Sequence, residues 1–150
     1  MTASPKARKT AEDSTGYILD EQVGFILRQV VQRHTTIFAE RFGEALTPTQ
    51  WASLSKLYEK GPLSQNLLGR LTAMDVATIK GVIDRLIKRG LTEVRADETD
   101  GRRHLVCLTE AGKALVESSF PAAVAVTGET LAPLSRQEQA ELLALLRKLR

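Results

Sequence analysis

The feature that most restricts this chain is the order of local signals between Ser64 and Leu108. "SQNLLGRL" opens on a serine able to cap a helix and carries Leu67, Leu68 and Leu71. After the connector "TAM", Asp75 caps a second helix, "VATIKGVIDRLIK", and Gly90 ends it. "LTEVRA" and "RHLVCLT" then carry alternating and β-branched residues on either side of "DETDGR", where Asp100-Gly101 marks a tight hairpin turn. Two short helices joined by a sharp elbow and followed at once by a basic hairpin leave few folds open.

The flanks supply longer helices. From Tyr17 to about Phe42, Val23, Ile26, Leu27, Val30, Val31, His34, Ile37 and Phe38 keep helical register. At about 1.5 Å per residue that is a helix of about 40 Å, longer than a domain of this size needs. "LTPTQW" opens the next helix: Thr47 as cap, Pro48 at the first position and Gln50 closing a capping box. Trp51, Leu54, Leu57 and Tyr58 form its expected buried stripe, and Gly61-Pro62 ends it. Thr109 caps a fifth helix with Ala111, Ala114, Leu115 and Ser118 on one side and a kink or break at Pro121. Ser135 and Glu138 form a second capping box ahead of a wide leucine stripe, Leu142 to Leu149.

Composition narrows the function. With 43% hydrophobic residues and no apolar run near the roughly 20 residues of a membrane span, no membrane partner is expected. The first sixteen residues are polar and small and read as a disordered arm without a secretion signal, so a cytoplasmic location is expected. One cysteine and two histidines make neither an internal disulfide nor a spaced zinc set. Paired carboxylates in an apolar setting, a Ser-His-Asp order and a phosphate-cradling glycine loop are all missing, which disfavours an enzyme; no cofactor is expected. The net charge is only +3, but residues 61 to 104 hold eight Lys and Arg against six Asp and Glu. The surplus surrounds the helix from Val76, whose buried stripe reads Val76, Ile79, Val82, Ile83 and Leu86. Its other side carries Thr78, Lys80, Gly81, Asp84, Arg85 and Lys88, with little bulk near the N-terminal end.

Helix, tight turn, helix and basic hairpin in that order is a winged helix-turn-helix. Here "DGRRHLVCLTEAG" resembles the wing of the MarR family, with Asp100, Arg102 and Leu108-Thr109 before Gly112 at that family's Asp-x-Arg and Leu-Thr-x-x-Gly positions. "LLGRLTAMDVATIKGVIDRLIKRGL" is similar to the family's third and fourth helices, and the likeness runs from about Tyr17 onward. It implies a mainly α fold with a small β wing: a dimerisation helix over residues 17–45, a winged helix-turn-helix domain over 46–109, and C-terminal dimerisation helices over 110–150. It also implies a homodimer on double-stranded DNA, the fourth helix in the major groove and the wing along the adjacent minor groove. A repressor released by a small inducer, an aromatic carboxylate or an acyl-coenzyme A thioester, follows from the same likeness.

On that basis Thr78, Lys80 and Gly81 are assigned to base edges and flanking phosphates, against the alternative of a plain solvated face. Arg70, Arg85 and Lys88 are assigned to phosphates, and Arg85 has Asp84 or wing carboxylates as rival partners. Asp100 is expected to hold Arg102 for the minor groove, or only to form a turn salt bridge. Arg95 and Arg103 on the wing, and Gln65 and Asn66 at the start of the third helix, complete the set of DNA contacts. Phe25, Arg28, His34, Phe38 and Trp51 are candidates for a ligand pocket, though core packing accounts for the aromatics equally well. Cys107 admits a redox-sensing role or that of a small strand residue, and a non-specific architectural DNA binder is a further alternative.

Overall fold

The computed structural model describes residues 16–150; the expected N-terminal arm lies, but for Gly16, outside the described residues. Six helices and one hairpin follow in chain order: α1 Val23–Phe42, α2 Pro48–Lys60, α3 Gln65–Leu71, α4 Val76–Lys88, β1 Thr92–Ala96, β2 His104–Leu108, α5 Glu110–Leu131 and α6 Arg136–Lys148. This is the winged helix-turn-helix architecture anticipated above. The caps do what their sequence signatures require. Thr47 and Gln50 close a reciprocal box at α2, Ser135 and Glu138 another at α6, and Ser64, Asp75 and Thr109 each accept from a backbone N–H of the first turn.

Three local expectations are corrected. The first helix does not run unbroken from Tyr17: a 3-10 turn at Leu19–Glu21 precedes it, and Gln22 is extended (φ −84°, ψ 131°). The Gln22 side-chain amide donates to the Ile18 carbonyl at 2.8 Å and closes that turn. The hairpin is not joined by a tight two-residue turn, because its connection runs from Asp97 to Arg103. Two aspartate turns in series fill it: Asp97 accepts from the Thr99 amide and hydroxyl, and Asp100 accepts from the Arg102 amide at its carboxylate and the Arg103 amide at its carbonyl. Gly101 therefore has no positive φ to supply. Finally, α5 continues through Pro121 without a break. Proline removes the hydrogen bond to the Glu117 carbonyl, but both residues lie on the exposed side, where solvent can serve that oxygen.

The strands pair antiparallel from Thr92 opposite Leu108 to Ala96 opposite His104. Leu63 adds one further rung, exchanging backbone hydrogen bonds with Val106 at 3.1 and 2.7 Å, and so ties the loop ahead of α3 to the wing. One core cluster, with Leu57, Leu68, Ile79, Ile83 and Val106, fixes the elbow between α3 and α4. A second joins α1, α2, α4 and α5 through Phe38, Phe42, Leu54, Leu86, Val116 and Val126. Leu54, Leu68, Leu86 and Val116 are wholly buried, each worth about 1.5–3 kcal/mol relative to exposure. Trp51 bridges Phe42 on one side and Phe120 on the other, with ring centroids 5.3 and 5.9 Å apart.

Two members of the expected stripes stand outside the core. Val76 is 69% exposed, because it is the first residue of α4 and faces the open concave surface between α3 and that helix. Tyr58 is also exposed and donates its hydroxyl to Glu117 at 3.1 Å. On α5 the buried side is Gly112, Val116, Ser119 and Val126, while Ala111, Ala114 and Ser118 face outward. Phase on this helix is set at its first turn. The Thr109 amide donates to the Leu91 carbonyl at 3.1 Å, and a Cβ on Gly112 would stand 2.0 Å from that same oxygen. Apolar residues of α1 (Val23, Ile26, Leu27, Val30, Val31) and α6 (Leu143, Leu145, Leu146, Leu149) are bare within one chain.

Gly112→Ala is expected to destabilise the protein by about 1–3 kcal/mol, since the carbonyl it meets is backbone and cannot swing away. Urea unfolding of the variant beside the parent measures this; an unchanged midpoint would show that the start of α5 is not held against Leu91.

Candidate nucleic-acid interface

The elbow is built by close approach. Gly69 is buried, and a Cβ there would sit 3.1 Å from Ile79 and 3.2 Å from the Met74 carbonyl. Ala73 takes a left-handed φ of 56° to make the turn, a conformation that costs a non-glycine residue about 1–2 kcal/mol. The result aims α4 outward with Ile79, Val82, Ile83 and Leu86 buried beneath it. A concave surface between α3 and the start of α4 is lined by Asn66, Gly69, Arg70, Asp75 and the exposed Val76. Gln65 lies beside it at the first position of α3, half-buried.

On the exposed side of α4 the candidate residues separate into two groups. Asp75 accepts the Thr78 amide at 2.7 Å, and this bond above all holds its carboxyl below the usual range, so the cap stays charged at the helix N-terminus. Lys80 is engaged by Asp84, Nζ to Oδ2 at 2.9 Å. Arg85 pairs neither with Asp84 nor with the wing: it folds back over Gly81, and among the described residues no hydrogen bond or ion pair engages its guanidinium. Lys88 and Arg70 are exposed as well.

At the wing the expected side-chain grip of Asp100 on Arg102 is a backbone contact instead: Asp100 Oδ1 accepts the Arg102 amide at 3.1 Å. Asp100 therefore shapes the loop, and Arg102 and Arg103 extend from it exposed; among the described residues no ion pair engages Arg102, while Arg103 lies within electrostatic reach of Asp97. Arg95 pairs with Glu93 on its own strand. Cys107 lies opposite Glu93 in the sheet, is 6% exposed, and its thiol is pushed up by burial. Both the burial and the direction of that shift disfavour the thiolate that oxidant chemistry needs.

The ligand candidates separate too. His34, Phe38 and Trp51 line a cavity of about 120 Å³ whose other wall is Ala123, Val126 and Thr127 of α5. Arg28 instead borders a shallow groove on the outer side of α1, and Phe25 lines neither. The α5 wall was missed in the sequence, although Ala123, Val126, Thr127 and Thr130 recur at helical spacing. Its last turn is tied to α1 at several points. His34 Nδ1 lies 2.8 Å from the Thr130 hydroxyl, Arg33 donates to the carbonyls of Thr130 and Glu129 at 2.7 and 2.8 Å, and Arg41 pairs with Glu129. Among the described residues no group of three His, Cys, Asp or Glu is placed to hold a metal ion, and no helix is long and apolar enough to cross a membrane.

Residues 46–104 match the model of the MarR family, and the chain is 40% identical over 91% of its length to the transcriptional repressor NicR of Pseudomonas putida, of which it covers 87%. The chain belongs to the MarR family. Its members here are transcriptional regulators, a non-enzymatic role. The chain is also similar, at 56% identity and a TM-score of 0.84, to the crystal structure of a probable transcriptional regulator from Pseudomonas aeruginosa, with 89% of this chain and all of that one covered. A third MarR-type relative is Bordetella bronchiseptica BpsR, whose DNA binding is regulated by 6-hydroxynicotinic acid. It is 40% identical with a TM-score of 0.85, over 89% of this chain and 96% of BpsR.

The Arg41 guanidinium, hydrogen-bonded to Glu129, holds that carboxyl below the usual glutamate range. A lowered folded pKa means the pairing contributes above the unfolded value and is lost as pH falls through the folded one. Parent and Glu129→Gln are therefore expected to differ slightly in melting temperature near neutrality and to converge in acid. Curves that stay parallel down to acid pH would show the pair contributes nothing.

Proposed function

We propose that this MarR-type regulator is a repressor that binds a pseudo-palindromic operator as a homodimer and is released by a single-ring aromatic acid. The observation that carries the DNA-binding part is the bare outer side of α4. It presents small or hydroxyl residues at its N-terminal end and, without an ion-pair partner among the described residues, Arg85 and Lys88 beyond, with Arg102 and Arg103 exposed on the wing. In this reading the side of α4 that carries Thr78, Lys80 and Gly81 faces base edges and flanking phosphates, while Gln65, Asn66, Arg70, Arg95, Arg102 and Arg103 contact phosphates or the minor groove. The uncovered apolar sides of α1 and α6 support the dimer, because a soluble monomer rarely leaves such a surface open. Residues 17–45 and 110–150 then serve dimerisation, and 46–109 reads DNA.

The ligand reading rests on the cavity between α1, α2 and α5. At about 120 Å³ it is far below the roughly 300–1,000 Å³ of pockets for drug-sized molecules and suits one substituted ring. Trp51 and Phe38 offer aromatic walls, and His34 offers a polar group whose orientation Thr130 fixes. BpsR, with its response to 6-hydroxynicotinic acid, supports the same class of molecule. An acyl-coenzyme A thioester fits this volume poorly. The ligand acts by favouring a dimer whose two heads are spaced wrongly for half-sites about 10 base pairs apart.

The test is binding to the duplex upstream of the chain's own gene and to a scrambled duplex at two salt concentrations, with benzoate, hydroxynicotinate or benzoyl-coenzyme A added. Selective binding released by a ring acid is expected. Equal affinity for both duplexes would reduce the protein to an architectural binder, and release by the thioester alone would exclude the proposed cavity. Arg102→Ala should weaken binding to every duplex and lower the salt slope by about 1. His34→Ala should bind the operator like the parent but need at least about tenfold more ring acid for release, the loss of roughly one charge-assisted hydrogen bond. Unchanged ligand response would move the site away from His34.

A further inference from the structure

We propose that Arg85 is a base-reading residue of α4 and that Gly81 is the seat that lets it act as one; this rests on α4 being the DNA-reading helix. At 3.6 residues per turn, Ala77, Gly81, Asp84 and Lys88 lie along the centre line opposite the buried Ile79, Val82, Ile83 and Leu86. Thr78 and Arg85 start from one flank of that line and Lys80 from the other. Side chains on a helix lean toward its N-terminus, and Arg85 follows that rule. A Cβ on Gly81 would stand 3.6 Å from both terminal nitrogens of the guanidinium and 3.8 Å from its central carbon. The charge is thereby carried from the flank to the centre line and about one turn nearer the end of the helix that meets base edges.

Two further observations favour this arginine over Lys80 as the reader. Lys80 is already held by Asp84, and contact with a base would require that pair to open. Arg85 has no partner among the described residues, so its donors are free. A guanidinium presents two parallel N–H groups in one rigid plane that match guanine O6 and N7, whereas a lysine ammonium reaches the same atoms as a flexible point charge. Gly81 supplies the space: alanine there would make ordinary contact with the guanidinium, whereas a long side chain would occupy the same volume and push Arg85 back to the flank. A purely phosphate-bound arginine needs neither the seat nor a fixed orientation.

The experiment starts by enriching a randomised duplex pool on the parent protein. The enriched duplex, its single-base-pair variants and a version with 7-deazaguanine at each guanine are then titrated with the parent, Arg85→Lys, Arg85→Ala, Gly81→Ala and Gly81→Leu. The parent should prefer guanine at one position of each half-site by about five- to 150-fold. That preference should vanish in Arg85→Ala and Gly81→Leu, fall in Arg85→Lys and survive in Gly81→Ala, and 7-deazaguanine at that position should weaken the parent but not Arg85→Ala. An affinity loss spread evenly over all base-pair variants places Arg85 on phosphates and overturns the proposal, as does a Gly81→Leu protein with the parent's preference. Circular dichroism checks folding, and Arg85→Ala, at an exposed position, decides the matter if Gly81→Leu does not fold. A parent that enriches no sequence refutes the regulator reading itself, and this inference with it.

Discussion

Everything that aims α4 depends on the small knot where the wing returns to the helical body. Thr109 takes part three times: its amide donates to the Leu91 carbonyl, its hydroxyl donates to the Gly90 carbonyl at 2.6 Å, and the same oxygen accepts the Gly112 amide at 3.0 Å. One residue thus closes the exit of α4, the base of the hairpin and the start of α5. The family pattern Leu-Thr-x-x-Gly becomes a steric statement, since only a residue without Cβ leaves the Leu91 carbonyl its place. From this point α5 runs back along α1, and the cavity with His34 and Trp51 lies between them.

The outer side of α4 shows how a weakly charged protein concentrates its cations where they are useful. An exposed pair such as Lys80 with Asp84 contributes little to stability. Its effect is to tether one cation while Arg85 stays available, so the charges on one short helix differ in readiness and not only in sign. The same contrast holds in the wing, where Glu93 takes Arg95 and the turn carboxylates accept from backbone amides, leaving Arg102 and Arg103 exposed.

Much of this architecture was legible because it is encoded locally. The caps Thr47, Ser64, Asp75, Thr109 and Ser135 each act on residues within one turn, so spacing alone located them. The hairpin strands were legible from alternation, but the loop between them was not. Asp100-Gly101 imitates a tight turn, and the competing signal, Asp97 serving Thr99, requires knowing which aspartates turn inward. The buried phase of α5 was hidden for a different reason: it is set by contact with Leu91, and a helix rich in alanine shows little contrast between its sides. For the candidate site the sequence carries the residue types, and the fold decides their partners. Phe25, Arg28, His34, Phe38 and Trp51 form one group on paper, yet only three of them meet, because the cavity wall opposite comes from α5, about ninety residues further along the chain.

Trp51 gives that cavity an unusual property. It is the chain's single tryptophan, and it stands between Phe42 and Phe120 while also lining the wall beside His34 and Phe38. Indole emission depends on the polarity and packing around the ring, and no second indole is present to dilute it. The intrinsic fluorescence of the protein is therefore an optical signal from one place, the junction of α1, α2 and α5, so the spectrum of the unlabelled molecule reports the packing and polarity of that one junction.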